Sequence, residues 1–101
     1  MEWVKDETPP PPPTINELIA EREPRYGAFR DRAALSQSIK NIMVLADGWS
    51  KLTAPQAEAL EMIALKITRI LNGDPSYVDN WVDIAGYAQL VADILHEDEK
   101  A

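Results

Sequence analysis

The chain contains no cysteine and a single histidine, His96, near its C-terminal end. Without cysteine there can be no disulfide framework, thiolate metal site or thiol nucleophile, and one histidine cannot build a His-rich zinc site. Cations are also scarce: ten Lys and Arg face seventeen Asp and Glu, a formal net charge of −7. No basic run offsets that balance, so duplex nucleic acid is not an expected partner. The same balance does not exclude a free nucleotide, because a metal ion or a few local bases can bind phosphate within an acidic protein. No apolar stretch approaches the roughly 20 residues of a membrane helix. Met1 to Thr8 carries acids where a signal peptide has bases and an apolar core. The expectation is a cytoplasmic protein with no membrane partner.

What is present is room for one domain in 101 residues. Pro9 to Pro13 is an unbroken proline run. It favours polyproline II, so residues 1–13 are expected to be a disordered or extended Pro-rich tail, a spacer or a ligand for a proline-reading module. Trp3 and Val4 are apolar enough to dock on a neighbouring subunit. Residues 14–101 form the expected single helical domain. A bundle this small buries little area alone, so a homo-oligomer is expected.

Caps and periodicity predict an all-α, compact bundle of about four helices. Thr14-Ile15-Asn16-Glu17 reads as a capping box opening a helix over 15–23, which Pro24 should end. Leu35, Ile39, Ile42, Met43 and Ala46 stand at helical spacing over 30–46, and Asp47-Gly48 is a stop. Thr53-Ala54-Pro55-Gln56 starts a third helix over 54–71, closed by Asn72-Gly73-Asp74-Pro75. Ser76-Tyr77-Val78-Asp79 repeats the box pattern and opens a fourth over 77–96, with the residues from Glu97 to Ala101 expected to fray.

The third and fourth helices carry the groups suited to chemistry. On a wheel of about 100° per residue, Leu60, Ile63, Ala64, Ile67, Ile70 and Leu71 share one half of the third. Glu58, Glu61, Lys66, Arg69 and Asn72 share the other. Glu58 and Glu61 form an E-x-x-E pair whose i+4 neighbours, Met62 and Leu65, cannot neutralise it. In the fourth helix, Trp81, Ile84, Ala88, Val91, Ile94 and Leu95 make the apolar stripe, and Asp79 and Asp83 run along its border beside Gly86 and Tyr87. Carboxylates there are partly desolvated and need a cation or donors. Glu58, Glu61, Asp79 and Asp83 could therefore converge on Mg²⁺, which keeps waters for substrate phosphates. Glu58, Glu61 and Asp83 would be catalytic, and Lys66, Arg69, Asn72, Trp81 and Tyr87 would bind nucleotide and phosphate. The plainer alternatives are a solvated face, an Asp79 cap, an ion pair from Asp83 to Lys66 or Arg69, and core aromatics. A Gly-rich phosphate loop, a nucleophile elbow and a His-based triad are all lacking.

The segment from Glu58 to Tyr77, EALEMIALKITRILNGDPSY, continues through Asp79-Asn80-Trp81-Val82-Asp83-Ile84-Ala85-Gly86-Tyr87. Together with Arg25-Tyr26-Gly27 and Phe29, it resembles a family of short phage and prophage proteins of unassigned function. That resemblance implies a phage- or prophage-encoded protein in a bacterial cytoplasm. More distantly, E-x-x-E followed by acids on the next helix looks like the MazG-type all-α nucleoside triphosphate pyrophosphatases, which use Mg²⁺ and assemble as dimers or tetramers. Glu58 and Glu61 match the first motif and Asp83 the end of the second. Asn80 stands where the second motif begins with glutamate, and Asp79 is one residue off. The resemblance implies nucleotide binding and a Mg-dependent pyrophosphohydrolase. The alternative is a non-catalytic anti-defence sponge that sequesters a nucleotide immune signal or binds a host protein. A third reading is a structural oligomer without a ligand.

Overall fold

The structure, a computed structural model, describes residues 10–100. Four α-helices follow in order: α1 (Ile15–Tyr26), α2 (Phe29–Leu45), α3 (Ala54–Asn72) and α4 (Val78–Lys100), with a short 3₁₀ helix, Asp47–Lys51, between α2 and α3. There is no strand among the described residues, and no helix there is long and apolar enough to cross a membrane. Residues 10–13 are exposed and without regular structure; the rest of the expected tail, with Trp3 and Val4, lies outside the described residues. The third helix is central, packing most extensively on α4, then on α2 and α1.

Both threonine-led starts form as read. Thr14 Oγ1 accepts from the Glu17 amide at 3.1 Å while Glu17 Oε1 accepts from the Thr14 amide at 3.0 Å. Thr53 and Gln56 repeat the exchange at 3.3 and 2.9 Å. Each pair satisfies donors that a helix N-terminus otherwise leaves open. The box read at Ser76 does not form. The Ser76 amide donates to Asp74 Oδ1 at 2.9 Å, and Asp79 accepts from the Tyr77 hydroxyl at 3.0 Å.

Two helix ends also differ from expectation. Pro24 does not end α1, which continues to Tyr26, and the Gly27 amide closes the last turn on Glu23 O at 2.7 Å. Proline removes one internal hydrogen bond, but the end is fixed from outside the helix. The Asp74 amide donates to Arg25 O at 2.9 Å and Asn72 Nδ2 to Ala28 O at 3.2 Å. Gly27 takes φ 78° and ψ 178°, a conformation open essentially to glycine alone. A Cβ there would overlap the Asn72 carbonyl, and one on Gly73 would overlap the Arg25 carbonyl. The C-terminal ends of α1 and α3 are thus joined backbone to backbone. At the other end, the residues expected to fray stay helical to Lys100, where a terminal lysine complements the helix dipole.

The core is sparse. Ala59 and Ala64 are the buried apolar ones among the described residues, beside buried Ser36, Lys66, Thr68 and Asn80. Among the described residues every Leu, Ile, Val, Met and aromatic side chain retains some exposure, including Trp81 at 54% and Leu71 at 67%.

Candidate functional site

The charged groups expected to meet between α3 and α4 are divided by the structure. Lys66, buried, reaches Asp83 with Nζ 2.9 Å from Oδ2, while the Asp83 side chain keeps 45% exposure. That ion pair is the plainer alternative for Asp83. Asp79 is exposed and held by Tyr77, and accepting from that hydroxyl pushes the Tyr77 pKa up. Glu58 is exposed and Glu61 half-buried. Glu61 stands about 140° around α3 from Lys66, so it is turned away from the side that meets Asp83. Among the described residues no group of three or more His, Asp or Glu side chains stands close enough to share a metal ion.

The expected nucleotide-binding residues are parted too. Trp81 Nε1 donates to Pro75 O at 2.8 Å. Tyr87 lines an open groove of about 540 Å³ with Asp83 and Gly86, about 120° around α4 from Trp81. Asn72 anchors the start of α2 through Ala28. Lys66 faces α4, and only Arg69 enters a cluster of its own kind.

That cluster lies where α1, α2 and α3 meet. The Arg69 guanidinium sits 4.4 Å from the centre of the Tyr26 ring. Arg32 approaches the same ring at 5.8 Å and Phe29 at 5.4 Å. Arg25 covers Tyr77 at 5.0 Å, and Tyr26 meets Tyr77 edge to face at 6.1 Å. Aromatic faces stabilise guanidinium groups, which lets like charges gather. Burial lowers the Arg32 pKa, and the Arg69 and Arg22 charges lower it further, with Tyr26 opposing them. The ion pairs of the described residues are Arg25–Glu21 and Lys66–Asp83, and His96 stands 3.7 Å from Glu99. Arg32 and Arg69 therefore have no carboxylate among these residues. Arg69 Nε is a buried donor with no acceptor among the described residues, as is Asn80 Nδ2 on α4.

Two adjoining cavities open on this cluster and share Phe29 and Arg32. One, about 290 Å³, adds Ser36, Gln37 and Arg69; the other, about 310 Å³, adds Ile19, Arg22 and Gly27. The Gly27 turn makes this possible by reversing the chain so that α2 starts beside the end of α1. Sequence reading found Arg69 but not Arg32, Tyr26 or Phe29 as a binding group. A signal was available: residues 22–32 hold Arg22, Arg25, Arg30 and Arg32, four of the ten cations of an acidic chain. Guanidinium forks without carboxylate partners suit a planar or tetrahedral oxyanion, which they grip through two parallel hydrogen bonds.

No curated protein and no solved structure matches the chain. A family model matches residues 14–95, nearly everything after the proline run, and by that match the chain belongs to the family described as a domain of unknown function, DUF6378.

Proposed function

We propose that this protein binds a small phosphate-bearing molecule of nucleotide type at the junction of α1, α2 and α3. The observation that carries this reading is the pair Arg32 and Arg69, held near Tyr26 against their mutual repulsion with no carboxylate among the described residues. A bound anion would relieve that repulsion and give the Arg69 Nε donor its acceptor. Phe29, 70% exposed beside Arg32, offers a face on which a base can stack. Binding needs neither hydrolysis nor a metal, which fits the reading of a sponge for a nucleotide signal. The phage setting rests on the sequence resemblance alone.

Calorimetric titration with nucleoside mono-, di- and triphosphates, beside inorganic phosphate, tests this. We expect binding that weakens with added salt. Arg32→Ala and Arg69→Ala should each cost about 10–100-fold in affinity, the worth of a charge-assisted hydrogen bond. Phe29→Ala should narrow the gap between nucleotide and bare phosphate. No heat with any of them would remove the proposal.

The pyrophosphohydrolase reading keeps one supporting observation: Glu58 and Glu61 have no ion pair among the described residues. A Mg²⁺ ion would take those carboxylates as ligands and supply polarised water. Mg-dependent release of pyrophosphate, lost in Glu61→Ala, would favour an enzyme over a binder.

A further inference from the structure

We propose that two copies of this chain associate through the open face of the α3–α4 pair, with α4 lying antiparallel on the α4 of the second copy about a two-fold axis near Ala88. Along α4, Val78, Trp81, Ala85, Ala88, Ala92 and Leu95 recur at alternating steps of three and four, the spacing of a coiled-coil seam. Of these only Ala92 is half-buried, and the others are exposed. Leu60, Ile67 and Leu71 form a similar strip on α3, at i, i+7 and i+11, and all three are exposed. The strips border one groove of about 360 Å³, which Leu60 and Ile63 line from α3 and Ala88 and Val91 from α4. The apolar surface is therefore continuous across the helix pair.

Three observations identify the occupant as a second copy. The first is internal symmetry: Trp81 and Leu95 each stand seven residues from Ala88, with alanines at 85 and 92 between. A two-fold axis at Ala88 sets each bulky end against the other chain's opposite end, and the alanines allow the helices to approach to about 8 Å. The second is charge. Asp79, Asp93 and Glu97 stand on the side of α4 turned away from the strip and Asp83 is taken by Lys66, yet the strip and its bordering positions Val82, Gln89 and His96 hold no acid. An antiparallel pair would then meet no carboxylate across the seam. The third is area. Val78, Trp81 and Leu95 of α4 and Leu60, Ile67 and Leu71 of α3 keep 37–67% of their surface exposed, an apolar patch on the order of several hundred Å², the scale on which a standard interface takes about 800 Å² from each partner. Arg69 is about 180° around α3 from Leu60, so the Arg32–Arg69 cluster stays open in such a dimer.

The absence of cysteine makes the test direct. Light scattering on the purified full chain should give at least twice the 11.3 kDa of one copy. Under mild oxidation Ala88→Cys should cross-link most chains as a symmetric disulfide, since a residue on the axis meets its own image. Asp93→Cys, on the outer side of the same helix, should give only traces. A monomeric mass at micromolar concentration would overturn the proposal and leave the face to another protein. An oligomer that cross-links through Asp93→Cys and not through Ala88→Cys would overturn it as well. Should Ala88→Cys fail to fold, the mass of the native chain still decides.

Discussion

Two glycines occupy positions at the junction of α1 and α3 that no side chain can share, and their chemistry sets a stability test. Gly27 combines a positive φ with an Asn72 carbonyl where its Cβ would stand, and Gly73 faces the Arg25 carbonyl in the same way. The obstruction is backbone, which cannot rotate away, so Gly27→Ala and Gly73→Ala should each destabilise by about 2–4 kcal/mol through overlap and strain. Gly86 lies mid-α4 with nothing within 4 Å of an added Cβ. Gly86→Ala should therefore stabilise by about 0.5–1 kcal/mol, the ordinary helix preference for alanine. Urea unfolding of the three variants checks both signs, and equal losses in all three would disprove the backbone contact. The Lys66–Asp83 pair was legible as one alternative in the sequence, because a carboxylate bordering an apolar stripe needs a cation nearby. Which cation it takes was not legible, since Lys66 and Arg69 are three residues apart and only the packing angle of α3 on α4 sends Arg69 to Tyr26 instead.

Helix starts were the most readable elements, because a capping box is local and its geometry closes within four residues. Those at Thr14 and Thr53 formed; the one at Ser76 lost its amide donor to Asp74 and its carboxylate acceptor, Asp79, to the Tyr77 hydroxyl, which only a folded turn brings into reach. Pro24 misled for a related reason: its local penalty is outweighed by hydrogen bonds from residues 72 and 74, remote in the sequence. The two formed boxes differ in one respect that matters for pH. Glu17 closes α1, and accepting from the Thr14 backbone amide, with help from the Thr14 hydroxyl, holds its carboxyl below the usual range. A folded pKa below the unfolded one contributes stability that is present above the unfolded value and is lost as pH falls through the folded value. Gln56 closes α3 and does not titrate. On acidification through the carboxylate range the Thr14 amide should lose protection from hydrogen exchange, beyond the intrinsic pH effect, while the Thr53 amide keeps it. Glu17→Gln should abolish the difference, and parallel behaviour of both amides in the native chain would refute the account.

For the whole molecule, the shortness of the chain led to the expectation of association but did not point to the surface proposed for it. The wheel of α4 put Trp81, Ile84, Ala88, Val91, Ile94 and Leu95 into one broad stripe, and periodicity cannot divide a stripe between a neighbour in the same chain and one in another. Folding makes the division. Ile84 and Val91 are half-buried, whereas Trp81, Ala88 and Leu95 remain exposed. The proposed anion site was less legible still, because Arg32, Tyr26 and Arg69 share no helix and meet only through the Gly27 turn. With no large apolar side chain fully buried among the described residues, the hydrophobic contribution to a lone chain is small. Much of the stability should then come with dimer formation and obey mass action. A hundredfold rise in protein concentration favours a dimer by about 2.7 kcal/mol, which should raise Tm by the order of 5–10 °C for two chains unfolding together. Ala88→Glu places a charge on the axis of each chain and should lower Tm and erase its concentration dependence. A Tm of the native protein that stays constant across that range would mean that the sparse core of one chain suffices.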